Sequence, residues 1–277
     1  MSTTAVAGDS ERRRHGGWPG GVPPPPRRDA SQPAGETPAL RWAPLAIPNE
    51  HGGWGFLFEP IVLAGIAAPS FAGALVAVAA IAVFLARHPL KLATGDVVRG
   101  RRYPRTIACA WIAAAYLIVA LVAIGFAGLR PLLPLAIAVP FGLVHLLGGR
   151  AALPELSGAI AMGGVAASMA LASSMPLGFA AALWLLALCR SLPAILYVRG
   201  LLGRGHGAIA AHVVAIVMAL LLWRASLAPF VAVLALVALL ARALVPPSKP
   251  VPKKIGIAEL FWGGGTTIVT GLGYVLR

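Results

Sequence analysis

Nine apolar stretches of roughly 18–22 residues follow one another from His51 to the C-terminus, each about the length needed to cross a bilayer as a helix. They run over approximately 51–68, 70–88, 106–127, 131–148, 156–175, 177–198, 207–224, 227–245 and 257–276. Hydrocarbon offers no water to satisfy backbone amides, so only helices or closed barrels can span it. The runs show no period-two alternation, which excludes a barrel. The expected fold is therefore all-α: a polytopic transmembrane helical bundle of about nine helices. The count falls to eight if one of the short spans fails, the fourth being interrupted by Pro134 and Pro140. Tight turns around Pro69, Pro131 and Pro176 make consecutive helices antiparallel neighbours.

Charge then decides partner and orientation. Charged residues make up 12% of the chain, against about 25% in soluble domains. The formal net charge of +14 could suggest nucleic acid. The basic residues, however, fall between the apolar runs, so the partner they indicate is the lipid bilayer. With the N-terminus inside, the tail and the segments 88–105, 149–155, 199–206 and 246–256, with Arg87 and Arg242 beside them, hold 19 of the 23 Lys and Arg. The other side holds Arg130, Arg224 and Arg277, and Arg190 is left within a span. The expected topology is N-in, C-out. Residues 1–44, rich in Pro and Arg and poor in apolar side chains, read as a disordered cytosolic tail without a cleavable signal. Residues 45–277 read as the transmembrane domain.

On this topology the ionisable residues are unevenly placed. Glu50, His51, Glu59, Arg87, Lys91, Asp96, Arg99, Glu155, Arg190, Arg199 and Glu259 all map to the cytosolic half or its loops, and no acidic residue maps to the outer half. Glu59 lies roughly 12 Å deeper than His51 at 1.5 Å per residue. Arg190 lies a similar depth below Arg199. Neither charge is tolerable alone in hydrocarbon, so the two are expected to face the bundle interior and pair, directly or through one neighbour. Gly52, Gly55 and Glu59 share one face of the first helix, leaving room beside the carboxylate. Together these groups imply one polar cavity open to the cytosol, and intramembrane ionisable residues are functional candidates.

Other polar residues have plainer readings. Arg and Lys at the ends of the second, sixth and eighth spans, Arg242 among them, can snorkel, and His145, His206 and His212 read as isolated hydrogen-bonded side chains. Gly263-Gly264-Gly265 follows no strand and reads as helix packing, not phosphate binding. Cys109 and Cys189 sit inside apolar runs as buried thiols. No His-Glu-x-x-His, Cys-x-x-Cys or nucleophile elbow is present, so no metal ligands are assigned and no cofactor is indicated. A weak repeat of about 100 residues links Glu59, Glu155 and Glu259, and also the Arg-containing segments 87–101 and 190–201, as a four-helix internal repeat would.

Four motifs carry a family resemblance: Glu50-His51-Gly52-Gly53-Trp54, Arg-His-Pro-Leu-Lys at 87–91, Glu-Leu-x-Gly-Ala-x-Ala at 155–161 and Arg-Ser-x-Pro-x-x-x-Tyr-Val-Arg at 190–199. They resemble the YwiC-like family of bacterial integral membrane proteins, which has no assigned activity; Gly53 stands where that signature usually has Ala. The resemblance implies the bacterial cytoplasmic membrane. Nine helices with charged cytosolic loops after the second and sixth also look like the UbiA prenyltransferase superfamily. That family carries Asp-rich motifs in both loops, whereas here 88–105 has only Asp96 and 199–206 has no acid.

Three functions follow as expectations. In the first, the chain binds or modifies an anionic isoprenoid or lipid. Glu50, His51 and Glu59 then do the proton chemistry as catalytic groups, while Arg87, Lys91, Asp96, Arg99, Glu155, Arg190, Arg199 and Glu259 bind the ligand. In the second, it is a small-solute or ion transporter whose Glu59–Arg190 pair switches partners. In the third, the chain is a non-catalytic membrane scaffold.

Overall fold

The computed structural model describes residues 42–48, 51–101, 103–148 and 151–277, the side chains of His51 and Gly52 excepted. The tail assigned to 1–44 therefore lies outside the described residues up to position 41. The described residues form ten helices: α1 (Ala43–Ala46), α2 (His51–Ala67), α3 (Phe71–Val98), α4 (Pro104–Ala127), α5 (Leu132–Leu147), α6 (Ala152–Ala172), α7 (Leu177–Leu201), α8 (Ala208–Arg224), α9 (Phe230–Leu244) and α10 (Pro252–Val275). The nine long ones, α2 to α10, correspond to the nine apolar runs.

Breaks between helices fall where backbone chemistry requires them. Pro131, Pro176 and Pro229 stand at the N-caps of α5, α7 and α9, and Pro104 and Pro252 in the first turns of α4 and α10, where a missing N–H breaks no helical bond. Ser70 caps α3 by accepting from the Gly73 amide at 2.9 Å. Its hydroxyl also lies 2.7 Å from Ser173 Oγ, which reaches the Ala68 carbonyl at 2.7 Å. The α2–α3 turn is thereby fastened to the end of α6.

One segment departs from the sequence expectation. The stretch 88–105, read as a loop, is helical as far as Val98. Pro89 deletes a single helical hydrogen bond, and the helix continues because its next turns have a partner. Ala86, Pro89, Ala93 and Asp96, spaced three and four apart, form a buried face. At its end Asp96 accepts from Arg105 Nε at 3.1 Å, Arg105 Nη2 at 2.8 Å and Thr106 Oγ1 at 2.9 Å, clamping α3 to α4. Gly100, at φ +66°, closes the helix with bonds from its own amide to Val97 and from the Arg101 amide to Asp96.

Four helices, Phe71–Val98, Pro104–Ala127, Ala152–Ala172 and Leu177–Leu201, are long and apolar enough to cross a membrane, and four shorter apolar helices accompany them. The outer surface bears Phe71, Trp111, Leu121, Phe126 and Phe261, each at least 70% exposed. So much exposed apolar surface is stable against lipid and not against water. The chain is a multi-pass integral membrane protein. Inside, α2 packs against α3, α6, α7 and α10, while α6 packs against α2, α3, α5 and α7. Small residues permit this crowding: a Cβ on Gly163 of α6 would come within 2.8 Å of the Trp184 ring, whose Nε1 donates to the Ile160 carbonyl at 2.9 Å.

Candidate functional site

Four helices each contribute one charged residue to a point inside the bundle. Glu59 on α2 and Arg190 on α7 pair directly, Nη2 to Oε1 at 3.2 Å. The same Nη2 donates to the backbone carbonyl of Glu259 on α10 at 3.0 Å and lies 3.4 Å from its Oε2. The other oxygen of Glu259, Oε1, meets Arg242 Nη2 of α9 at 2.7 Å. The Arg242 guanidinium sits 4.3 Å from the Tyr197 ring centroid and 5.5 Å from that of Trp262. None of the four charged side chains is more than 17% exposed. Two carboxylates and two guanidinium groups sum to zero, the condition under which a low-dielectric interior tolerates them.

The backbone around this point is arranged to admit it. Pro60 and Pro193 lie inside α2 and α7. Lacking N–H groups, they leave the carbonyls one turn earlier, those of Phe56 and Cys189, without their usual helical donors. On α10, Gly263 is the wall against which the pair rests. A Cβ there would collide with Glu59 Oε1 and Arg190 Nη2. Gly55, on the same face of α2 as Glu59, does the equivalent towards Leu260, 3.1 Å from its Cβ position.

A cavity of about 30 Å³ adjoins the pair, room for about two water molecules. Its polar lining is Glu59, Arg190, Ser191, Thr266, Thr267 and Thr270. The three threonines, one α10 face at spacings of one, three and four, are buried. Ser191 Oγ and Arg190 Nε are buried with no hydrogen-bond partner among the described residues.

The remaining sequence candidates lie elsewhere. A second group forms at the start of α6. Glu155 binds Arg199 at 2.8 Å, and the preceding residue, Pro154, accepts at its carbonyl from His145 Nδ1 at 2.9 Å. Arg87 Nη1 donates to His145 Nε2 at 2.9 Å, which fixes His145 as the neutral Nδ1–H tautomer. Asp96 belongs to the α3–α4 clamp, and Lys91 and Arg99 are exposed. His88 donates to the Pro44 carbonyl at 3.0 Å, holding α1 against α3. Glu50 lies outside the described residues; His51 opens α2, but its side chain is likewise outside them. The groups expected around one chamber are thus divided between a Glu59 cluster and a Glu155 cluster.

Arg242 and the three threonines are the site residues that sequence reasoning passed over. The usable signal was the run Glu259, Gly263, Thr266, Thr267 and Thr270, a polar and small stripe along one face of an otherwise apolar helix. Arg242 gave no such signal, since an arginine at a helix end is equally suited to snorkelling.

No curated protein and no solved structure matches the chain. A family match covers residues 47–170, which supply Glu59, the α3–α4 clamp and Glu155. Arg190, Arg242 and Glu259 lie beyond the matched stretch. Over residues 47–170 this chain is similar to the YwiC-like protein family.

Proposed function

We propose that this integral membrane protein is a transporter of a small solute or ion, in which Arg190 exchanges between Glu59 and Glu259 as access alternates. The observation that carries this reading is that one guanidinium nitrogen lies within 3.2 and 3.4 Å of two carboxylates on different helices. Arg190 already bonds α2 through Glu59 and α10 through the Glu259 carbonyl, so releasing the Glu59 contact leaves the guanidinium with an acceptor on α10. On the N-in topology read from the charge census, the pair lies at the cytosolic side of the threonine-lined cavity.

An anionic isoprenoid or lipid ranks second. Arg190 and Arg199 already hold carboxylates, and a space of about 30 Å³ is far below the roughly 300–1,000 Å³ of organic-ligand pockets. Under that reading Glu50 and His51 keep their proposed proton-handling roles. Arg87, Lys91, Asp96, Arg99, Glu155 and Arg199 keep theirs as cytosolic recognition groups.

The test is solid-supported membrane electrophysiology on the reconstituted full chain, with jumps in pH, Na⁺, K⁺ and chloride. At least one jump is expected to give a protein-dependent current. Glu259→Gln, which keeps the Glu59–Arg190 pair but weakens the second docking place, is expected to reduce that current about tenfold, equivalent to about 1.4 kcal/mol on the exchange step. Silence to all four jumps would contradict transport and favour a purely architectural role for the four charges.

A further inference from the structure

We propose that the transported or coupling species is the proton, carried on the Glu59 carboxylate and relayed by water along Ser191, Thr266, Thr267 and Thr270. This rests on the transporter reading and names what it moves. Three observations lead there.

The first is size. The cavity has room for about two waters, and a proton added to a carboxylate needs no further room. The second is the lining. Hydroxyl groups both donate and accept, as a hydrogen-bonded relay requires. One of them, Ser191 Oγ, is buried in the cavity wall without a protein partner among the described residues. A metal cation would instead need a cage of oxygens beside Arg190, whose guanidinium is 3.2 Å from Glu59. Chloride would be repelled by the Glu59 carboxylate itself.

The third is the charge arrangement. Glu59 faces Arg190 of α7 and Glu259 of α10, with Arg242 of α9 behind Glu259. On α8, buried His212 lies within electrostatic reach of Arg190, Arg242 and Glu259, and its Nδ1 donates to the Ala208 carbonyl at 2.8 Å. Tyr197 of α7 stacks on Arg242. Cys189, beside Arg190 in α7, is a buried thiol, and no other titratable side chain makes an ion pair with the cluster among the described residues.

In the loading step, a hydronium ion in the cavity gives its proton to a Glu59 oxygen, leaving neutral Glu59 and water. The net charge of the cluster rises from zero to one. Arg190 then loses one carboxylate but keeps Oε2 and the carbonyl of Glu259, while Oε1 of Glu259 keeps Arg242. Neither guanidinium is left without an acceptor. In the release step the proton returns to water and Glu59 recaptures Arg190.

The test uses the full chain in liposomes loaded with pyranine, the membrane potential clamped by valinomycin and K⁺. An acid jump is expected to acidify the lumen, and Glu59→Gln is expected to slow this about 100-fold, the low end of the contribution of a positioned proton carrier. Thr266→Val with Thr267→Val keeps shape and removes two hydroxyls; it is expected to slow uptake several-fold with the melting temperature retained. The threonine double variant decides the matter if Glu59→Gln does not fold. Wild-type rates in these variants would overturn the proposal. Currents driven by Na⁺, K⁺ or chloride with no proton movement would overturn the proton while leaving the transporter reading intact. Movement of no ion at all would overturn both.

Discussion

Arg190→Leu is expected to lower the unfolding free energy by about 3–5 kcal/mol, the range for removing one partner of a buried ion pair. Equilibrium unfolding of the detergent-solubilised chain would measure it. The leucine keeps apolar contact along the stem and leaves the guanidinium's volume empty, a smaller cost than the lost charge. What changes is that Glu59 loses its only cation within 4 Å among the described residues, because Arg242 is bonded to Glu259. Arg190 is 5% exposed, so bulk solvent does not screen the pair. The loss should exceed that of a second arginine deletion. Glu155, the partner of Arg199, has a side chain 38% exposed, and pairs open to solvent contribute about 1 kcal/mol or less. Arg199→Leu is therefore expected to be the milder change.

Gly263→Ala should be nearly as informative, because it adds one methyl at the centre of the site. That methyl would meet Glu59 Oε1 and Arg190 Nη2, and would lie 2.6 Å from Glu59 Cδ. Either α10 backs away from α2 or the carboxylate turns from the guanidinium. Overpacking of this kind costs about 1–3 kcal/mol. The next two residues supply the control. Gly264 and Gly265 have nothing within 4 Å of their Cβ positions. Alanine at either is expected to be neutral or to stabilise by up to about 1 kcal/mol, through the helix preference alone. Thermal melting of the three single variants should therefore divide one glycine from its two neighbours, and transport should fail only in Gly263→Ala.

The division between these glycines shows how far residue patterns reach. Hydropathy located α2 to α10, because length and apolarity are properties of a single segment. The prolines located the turns, because a missing N–H acts locally. Equal depth brought Glu59 and Arg190 together, since rise per residue is the same in every helix. Azimuth has no such universal measure. Which face of α9 turns towards α10 depends on packing, and so Arg242 read as a snorkelling side chain until its partner Glu259 was seen at 2.7 Å. For the same reason Gly263, Gly264 and Gly265 were one motif in sequence but only one of them touches the ion pair. The α3 extension past Pro89 was hidden because its stability comes from Arg105 and Thr106 of the next helix, not from its own propensity. The partition of the polar groups into two clusters rests on similar long-range choices, with Arg87 drawn to His145 of α5 and Arg199 to Glu155 of α6.

A double-mutant cycle on the unfolding free energy, using Glu59→Gln, Arg190→Met and the two combined, tests most directly whether these charges share one buried site. Direct contact in a low dielectric predicts that the double variant is less damaged than the sum of the singles by more than about 1 kcal/mol. Effects that add to within about 0.5 kcal/mol would place the two side chains out of contact. The charge cluster, the partner exchange and the proton relay would all be contradicted by that result.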